Sequence, residues 1–280
     1  MTKKGAGSVM AGEKAIFVTG AASGIGLAVA RLFSDRGWRV GLSDIDKPGL
    51  AAAARSHPFP LERTSTHPLD VTNREQWAEA LDAFTESSGG RLDVLFNNAG
   101  VPHGGPFAYA GWEGIDRTVA VNLMGVINGA RISHLYLHRT PGSCLLNTAS
   151  ASAIYGSAGL AVYSATKFAV RALTEALDAE WHADGIKVRA LVPGFIDTPL
   201  LQQTTEGSNR SIRDTVTNAG FELTSADAVA KAAWKAVHGK RVLIPVGPTA
   251  RRLMFAARWM PGRLRRVMRR RYAEPAMLPG

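Results

Sequence analysis

The fold is decided by the stretch Ala15-Ile-Phe-Val-Thr-Gly20-Ala-Ala-Ser-Gly24-Ile-Gly26 and its continuation to Asp44. Its first five residues are mostly apolar and end at a glycine, which is typical of a buried strand. From Ile25 to Phe33 the apolar residues recur at the spacing of one helix face. A second strand over Trp38–Asp44 follows. The stretch therefore predicts a strand–helix–strand unit with three glycines at its first turn.

A glycine-rich turn between a strand and a helix suits a dinucleotide. Glycine reaches positive φ and lets a pyrophosphate approach the backbone, and the helix N-terminus offers free N–H groups to the phosphates. Asp44 ends the second strand, where a carboxylate can accept hydrogen bonds from ribose hydroxyls. A loop that merely needs glycine is the alternative. The order of strand, helix, strand and terminal acid favours nucleotide binding.

Length and composition predict one domain with two extensions. The chain has 280 residues, of which 46% are hydrophobic, enough for one sizeable core. Of the net charge of +10, residues 251–280 contribute +8 through nine arginines and one acid, so the basicity belongs to the C-terminal end. We expect a flexible arm over 1–13, a single domain over 14–249 and a basic amphipathic extension over 250–280.

The single cysteine, Cys144, lies in an apolar run and is expected to be a buried thiol. The sequence contains no run of eighteen apolar residues and opens on no signal peptide with a cleavage site. The expected compartment is therefore the cytoplasm.

Strands alternate with helices along the chain, which predicts a parallel sheet covered on both faces. Pro68 and Pro245 lie in the third and seventh strands, and both strands are expected at sheet edges because proline cannot serve a central ladder. The predicted strands are 15–19, 38–44, 65–70, 93–97, 143–147, 186–192 and 241–246. The predicted helices are 25–36, 47–55, 74–84, 112–138, 159–181 and 226–237.

Tyr163 and Lys167 are four residues apart on a predicted helix, so their side chains share one face. A tyrosine of ordinary pKa, about 10, is a poor acid–base catalyst at neutral pH, and a neighbouring ammonium favours its phenolate. Such pairs also occur by chance on ordinary helices. Ser150, thirteen residues upstream at the end of a strand, adds a hydroxyl that can stabilise a developing oxyanion. Strand-end capping is the alternative for the hydroxyls of Thr148 and Ser152.

Six elements together resemble the short-chain dehydrogenase/reductase family in order and spacing, over roughly residues 14–247. The resemblance implies an α/β fold with a doubly wound (Rossmann) seven-stranded parallel sheet and helices on both faces. It also implies an oxidoreductase that transfers a hydride between NAD(H) and a secondary alcohol or ketone. The six elements are Thr19-Gly-x-x-x-Gly-x-Gly26, Asn97-Asn-Ala-Gly100, Asn122, Ser150, Tyr163-x-x-x-Lys167 and Pro193-Gly194.

The resemblance also implies roles for individual residues. Tyr163 is the general acid/base, and Ser150 holds the substrate oxygen. Lys167 holds the nicotinamide ribose and lowers the pKa of Tyr163, while Asn122 orders a water in the proton relay. Asp70 matches the adenine contact and Thr198 the carboxamide contact. The implied cofactor-binding residues are Gly20, Ser23, Gly24, Ile25, Gly26, Asp44, Asp70, Val71, Asn97, Ala99, Gly100, Tyr163, Lys167, Pro193, Gly194, Ile196 and Thr198.

NAD is the expected cofactor and NADP the less favoured one. Asp44 would repel a 2′-phosphate, and neither Ser23 nor Ile45 supplies the cation that would bind one. No metal site is expected. His134 and His138 are four residues apart on a predicted helix, but Leu135 stands where a metalloprotease needs glutamate.

Two further expectations concern partners. The predicted helices 112–138 and 159–181 resemble those that pair across subunits in this family, which indicates a homodimer or homotetramer. A non-catalytic NAD-binding regulator or scaffold on the same fold is the alternative function. A hydrophobic alcohol or carbonyl substrate is expected from apolar residues in the loops near the catalytic positions, namely Val101, Phe107, Tyr109, Ile154, Tyr155, Phe195 and Leu200.

The C-terminal extension has two interpretations. Its apolar residues recur at helical spacing on either side of Pro261-Gly262. Two helices could pack over the substrate pocket or a neighbouring subunit. Alternatively, residues 250–272 could form a basic interfacial helix that makes peripheral contact with anionic lipid. Nucleic acid is not an expected partner, because the extension lacks a zinc-finger, helix-turn-helix or base-stacking pattern.

Overall fold

The first strand, β1 (Ala15–Thr19), lies near the middle of a parallel sheet. The computed structural model describes residues 12–203, 211–218 and 220–273, with side chains to 270. The other strands are β2 (Arg39–Asp44), β3 (Thr64–Pro68), β4 (Val94–Asn97), β5 (Cys144–Thr148), β6 (Lys187–Pro193), β7 (Ile196–Asp197), β8 (Thr224–Ser225) and β9 (Leu243–Val246).

The helices lie on both faces of this sheet. Each connects two strands of the sheet or follows the last one, as expected for parallel crossovers. They are α1 (Gly24–Asp35), α2 (Lys47–Arg55), α3 (Arg74–Ser87), α4 (Trp112–Val119), α5 (Gly125–His138), α6 (Ala161–Glu180), α7 (Ile212–Asn218), α8 (Ala226–His238), α9 (Pro248–Trp259) and α10 (Pro261–Ala273).

The main sheet has the order β3-β2-β1-β4-β5-β6-β9 in the described part of the chain, and every pairing in it is parallel. The doubly wound seven-stranded sheet predicted from the sequence is therefore confirmed. Strand order reverses between β1 and β4, and crevices at such switch points are where ligands bind in α/β sheets. Pro68 in β3 and Pro245 in β9 lie in the two outer strands, as their chemistry predicts.

The side chains of alternate β1 residues pack into two separate hydrophobic cores, one on each face of the sheet. Ile16 and Val18 pack with α1 and α8 on one face. Ala15 and Phe17 pack on the other face with α3 and α5, where Trp77 and Phe84 are fully buried. Burying each such large side chain stabilises the fold by about 2–3 kcal/mol, so the two layers fix the sheet between helices.

Cys144 lies within β5 and is fully buried as a free thiol. Burial raises the pKa of this thiol to about 12. None of the described helices is long and apolar enough to cross a membrane.

The structure differs from the sequence-based expectation in three places. The predicted helix over 112–138 contains a π-helical segment, Ala120–Met124, between α4 and α5. The two-residue strands β7 and β8 form a separate parallel pair that was not predicted. Helix α7 lies between the predicted strand 186–192 and the predicted helix 226–237, where no element was predicted, and residues 204–210 and 219 of this segment are outside the described residues.

The proposed arm and extension are only partly described. Residues 1–11 of the predicted arm and 274–280 of the extension lie outside the described residues. At the end of the arm, Glu13 pairs with Arg39 of β2 at 3.1 Å.

Candidate active site

A cavity of about 770 Å³ opens at the carboxyl ends of the sheet strands. Its size is in the range of small-molecule and cofactor sites. Most of the residues around it come from the turns after β1, β2, β3, β4, β5 and β6, and from the beginning of α6. Of the site residues predicted from the sequence, those that line it are Gly20, Ser23, Gly24, Ile25, Asp44, Asp70, Val71, Ala99, Gly100, Ser150, Tyr163, Lys167, Pro193, Gly194, Ile196 and Thr198.

The glycine turn after β1 leaves room beside its backbone. Gly20 and Gly24 have φ values of +66° and +55°, a region that favours glycine. A Cβ on Gly26 would overlap the carbonyl oxygen of Gly20. Helix α1 begins here without a side-chain cap at Ser23 and without an acidic residue in its first turn. Its N-terminal amides and partial positive charge therefore face the cavity, which suits a pyrophosphate.

Asn98 fixes this turn, a role that the sequence analysis did not assign. Its amide nitrogen donates to the carbonyl oxygens of Thr19 at 3.0 Å and of Gly20 at 3.4 Å. The Thr19 hydroxyl accepts the backbone N–H groups of Asn98 at 3.0 Å and Ala99 at 3.1 Å. The turns after β1 and β4 are thus tied together at the switch point.

Asp44 lies at the end of β2 and faces the cavity. One carboxylate oxygen accepts the N–H of Ala22 and the other accepts that of Asp46, both at 3.0 Å. Each oxygen keeps a lone pair, so the carboxylate can accept further hydrogen bonds from hydroxyl groups. Asp70 is held differently, since one of its oxygens accepts the N–H and the hydroxyl of Thr72.

Ser150, Tyr163 and Lys167 meet at the other end of the cavity. The Ser150 hydroxyl interacts with the Tyr163 hydroxyl through a side-chain hydrogen bond, and it also accepts the N–H of Ser152 at 3.1 Å. The Lys167 ammonium donates to the carbonyl oxygen of Thr148 at 2.8 Å and lies 5.7 Å from the centre of the Tyr163 ring.

Burial dominates the acid–base properties of this group. It raises the pKa of Tyr163, and the hydrogen bond with Ser150 opposes that rise. It lowers the pKa of Lys167 to about 8. The expected lowering of the Tyr163 pKa is therefore not found in the protein alone, because desolvation of the phenolate is the largest effect. The tyrosine hydroxyl is protonated at neutral pH and can donate a proton.

Asn122 lies in the π-helical segment, fully buried and outside the cavity lining. Its side-chain oxygen accepts the N–H of Val101 at 2.8 Å, and its side-chain nitrogen donates to the Val101 carbonyl at 2.9 Å. Single π-helical turns occur frequently at functional sites. Here the turn fastens the loop that follows Gly100.

Gly26 and Asn97 also do not line the cavity. Gly26 acts through the space that its missing side chain leaves for Gly20. Asn97 points beneath the sheet end, where its amide donates to the Val126 carbonyl and to the Asn147 side chain, both at 3.2 Å. The contact predicted for Asn97 is not available to its side chain, and Asn98 lines the cavity instead.

The substrate end of the cavity is largely apolar. Of the apolar residues predicted there, Val101, Phe195 and Leu200 line it, whereas Phe107 and Tyr109 are exposed at the surface. Ile154 and Tyr155 do not line it, and Tyr155 faces a second groove against α10. No described residue of α9 or α10 lines the cavity, so the described part of the extension does not cover it.

One polar residue of this end was not predicted. His103 lines the cavity, and both of its ring nitrogens are buried without a hydrogen-bond partner in the part of the chain that the structure describes. An unpaired buried polar group costs about 1–3 kcal/mol. Its only sequence signal was a position three residues after the Asn-Asn-Ala-Gly turn. Within the described residues, no group of three or more His, Cys, Asp or Glu side chains is arranged to hold a metal ion.

Three curated proteins illustrate the sequence similarity. The 3-oxoacyl-[acyl-carrier-protein] reductase of Thermotoga maritima is 33% identical over 193 residues, which are 69% of this chain and 78% of that protein. The cyclopentanol dehydrogenase of a Comamonas strain is 34% identical over 192 residues, 68% of this chain and 76% of that protein.

The third relative, named "Probable oxidoreductase EphD" in Mycobacterium tuberculosis, is 33% identical over 272 residues. The match covers 93% of this chain, which spans only 45% of that longer protein. Because 93% of 280 residues leaves about 20 unmatched, the similarity includes part of the extension 250–280.

Solved structures of similar proteins share the fold. The 3-ketoacyl-(acyl-carrier-protein) reductase of Brucella melitensis, crystallised with NADH, superposes with a TM-score of 0.74 at 28% identity. The superposition covers 85% of this chain and 98% of that one. The family profile described as short chain dehydrogenase matches residues 14–209, more than half of the sequence. Together with the sheet order and the residues gathered at its carboxyl edge, these matches show that the chain belongs to the short-chain dehydrogenase family of oxidoreductases.

Proposed function

We propose that this protein transfers a hydride between NAD(H) and a hydrophobic secondary alcohol or ketone. The observation that carries the proposal is the convergence of Ser150, Tyr163 and Lys167 on the same cavity as the glycine turn. A regulator that only binds the dinucleotide would need the turn but not this arrangement of hydroxyls and ammonium. The catalytic hypothesis is therefore favoured over the non-catalytic one.

Tyr163 donates or accepts the proton in the proposed reaction. A bound nicotinamide supplies or accepts the hydride. In the reductive direction, the protonated Tyr163 hydroxyl gives its proton to the substrate oxygen while the Ser150 hydroxyl stabilises the charge that develops there. In the oxidative direction, Tyr163 takes the proton back. Because burial raises its pKa, the protein alone favours the proton-donating form at neutral pH.

Lys167 and Asn122 support this transfer in different ways. The Lys167 ammonium, with a pKa of about 8, is mostly protonated at pH 7 and supplies positive charge beside the Tyr163 ring. Asn122 holds Val101 and through it the loop that bounds the substrate end. A role for Asn122 in ordering a relay water remains part of the proposal.

The proposed cofactor contacts follow from the cavity lining. The α1 N-terminus and the glycine turn would hold the pyrophosphate, and Asp44 would accept ribose hydroxyls. Val71 and Ala99, which line the cavity, would contact the adenosine half of the dinucleotide. Ile196 and Thr198 line the cavity from the segment after β6 and would contact the nicotinamide half. NAD is proposed over NADP because the Asp44 carboxylate would repel a 2′-phosphate.

A hydrophobic substrate is supported by the walls of the cavity. Apolar side chains dominate beyond Ser150 and Tyr163, and burying them against a substrate is favourable. One relative is named for a small cyclic alcohol, cyclopentanol. The apolar residues on this side are Val101, Pro102, Leu160, Phe195, Leu200, Leu201 and Ile212.

The proposal is tested by following NAD reduction with a panel of secondary alcohols, from aliphatic to steroid-sized. The Tyr163→Phe variant removes the proton donor and little volume. We expect it to lose turnover while NADH binding, measured by fluorescence, stays nearly unchanged. Tyr155→Phe is the matched control, because Tyr155 lies outside the cavity, and it should retain activity. Tyr163→Phe activity above a few per cent of the unmodified protein would contradict the assignment.

We also propose a homodimer or homotetramer. Large apolar side chains are exposed on the helices predicted to pair, namely Trp112 and Val119 on α4, Leu135 on α5 and Phe168 on α6. A second copy of the chain is the proposed partner, because symmetric association would cover these exposed apolar side chains on both copies.

A peripheral contact with anionic lipid is the proposed role of the extension. Helix α9 exposes Phe255 and Trp259, 59% and 67% accessible, beside the exposed Arg251 and Arg258. The Arg258 guanidinium lies 5.6 Å from the Trp259 ring centre. Aromatic and basic groups on one exposed surface suit the headgroup region of an anionic bilayer.

A further inference from the structure

We propose that His103 positions the substrate by hydrogen bonding to a second oxygen, distinct from the oxygen that reacts. The substrates would then carry a hydroxyl or carbonyl group in addition to the secondary alcohol or ketone. This inference rests on the proposed hydride-transfer function and narrows its substrate class.

The imidazole of His103 offers a hydrogen-bond donor and acceptor that no described residue uses. Both ring nitrogens are buried, and neither has a hydrogen-bond partner among the described residues. Buried polar groups in folded proteins are nearly always hydrogen-bonded, so an exception calls for a ligand or a water. His103 lines the same cavity as Ser150 and Tyr163. A bound substrate is therefore the partner that the ring is placed to meet.

The loop that carries His103 is held on both sides. Before it, Val101 makes two hydrogen bonds with the Asn122 side chain, at 2.8 and 2.9 Å. After it, the N–H of Gly105 donates to the Gly159 carbonyl at 2.9 Å. Gly159 lies just before α6, the helix that carries Tyr163. The backbone of the loop that carries His103 is thus held relative to the helix of the catalytic tyrosine, as the loop of a positioning group must be.

The neighbouring groups leave His103 free for a second oxygen. Ser150 and Tyr163 are hydrogen-bonded to each other and are assigned to the reacting oxygen. Pro102 and Leu160 of the lining are apolar, whereas Arg117, Ser152 and Gln203 are further polar side chains that line this cavity. A neutral imidazole has one donor and one acceptor nitrogen, so it can bind either a hydroxyl or a carbonyl.

The test compares matched substrates on the full-length protein with NAD. Each pair contains a secondary alcohol with and without a second oxygen, at 1,2, 1,3 and 1,4 spacing, for example cyclohexanol and the cyclohexanediols. At one spacing or more, we expect the second oxygen to raise kcat/KM of the unmodified protein about tenfold or more. His103→Phe should abolish that gain, so that kcat/KM falls about tenfold or more further for the diol than for cyclohexanol.

Two variants separate positioning from structural damage. His103→Gln keeps a donor and an acceptor and should restore part of the preference for the second oxygen. His182→Phe changes an exposed histidine outside the cavity and should leave the preference unchanged. NADH binding and the melting temperature establish that each variant is folded.

Two outcomes overturn the inference and are distinguishable. If His103→Phe lowers kcat/KM equally for both members of every pair, or lowers neither, His103 does not bind a second oxygen of the substrate. The proposed hydride-transfer function is then unaffected. If no alcohol or ketone is turned over with either cofactor by the unmodified protein, the proposed function fails, and this inference fails with it.

Discussion

Replacing Lys167 by methionine should make the protein more stable at neutral pH. The side chain is 4% exposed, and its described hydrogen bond is the one to the Thr148 carbonyl at 2.8 Å. Burial lowers its pKa from 10.5 to about 8, because the interior solvates an ammonium less well than water does. Methionine fills a similar volume without a charge, so the variant avoids the cost of burying one.

The pKa of Lys167 in the folded protein lies about 2.5 pH units below its ordinary value. At about 1.4 kcal/mol per pH unit, burial of the ammonium lowers the free energy of unfolding by about 3 kcal/mol. Below pH 8 the Lys167 amine is protonated in both the folded and the unfolded chain. Burial of the ammonium then destabilises the folded chain by this full amount. Between pH 8 and 10.5 the unfolded chain binds more protons, so the stability of the unmodified protein rises with pH. Losing the bond to Thr148 costs the variant about 1 kcal/mol. We expect Lys167→Met to be more stable by about 2 kcal/mol at pH 7, and this advantage to fall by about 3 kcal/mol by pH 10.5.

The assay is urea unfolding of both proteins between pH 7 and 10.5, followed by tryptophan fluorescence. The difference between the proteins is the quantity to use, because the raised pKa values of Cys144 and Tyr163 lower the stability of both at alkaline pH. Lys231→Met, at an exposed position of α8, is the control and should show no such trend. A stability difference that stays constant or grows with pH would refute the desolvation argument.

Three further predictions concern the cofactor, the assembly and the extension. Asp44→Asn should raise kcat/KM with NADP relative to NAD by about tenfold or more, since a 2′-phosphate carries up to about two negative charges and each charge pair at 4 Å repels by about 1 kcal/mol even in water; Glu79→Gln, at an exposed position of α3 outside the cavity, is the control, and equal use of both cofactors by the unmodified protein would contradict the charge argument. Phe168→Glu should lower the molar mass measured by light scattering, whereas Leu61→Glu, an exposed site on another surface, should not; a 30 kDa species for the unmodified protein at micromolar concentration would reject the oligomer. The full-length protein should float with anionic but not neutral liposomes at low salt, and Trp259→Ala should weaken this flotation; failure to float with anionic vesicles at low salt would reject the lipid contact.

The sequence was sufficient for the fold because its strongest signals are local. The glycine turn, the alternation of strands with helices and the two edge prolines each constrain a short segment, and together they predict a parallel sheet with the third and seventh predicted strands at its edges. The π-helical segment could not be predicted in this way. Apolar spacing continues through Ala120–Met124, and the hydrogen bond of the Asn122 side chain in this segment is made with Val101, which lies 21 residues away in the sequence. The β7–β8 pair joins residues almost thirty positions apart and has no local signal.

The site was predicted less completely because side-chain direction depends on packing. Asn97 and Asn98 are adjacent and chemically identical, yet one points beneath the sheet to Asn147 and the other to the glycine turn. Phe107 and Tyr109 have the composition of a pocket wall but face solvent. Burial, which a sequence does not give residue by residue, also reverses the direction expected for the Tyr163 pKa.

The buried thiol of Cys144 has a practical consequence for labelling. The sequence contains no other cysteine, and a thiol with a pKa near 12 is almost entirely protonated and unreactive toward maleimides at neutral pH. A cysteine introduced on the surface would therefore be the single reactive thiol of the protein, and Cys144 would not have to be removed. A polarity-sensitive fluorophore attached at position 259 would report directly whether helix α9 enters a lipid surface, and one attached at position 168 would report the approach of a second subunit.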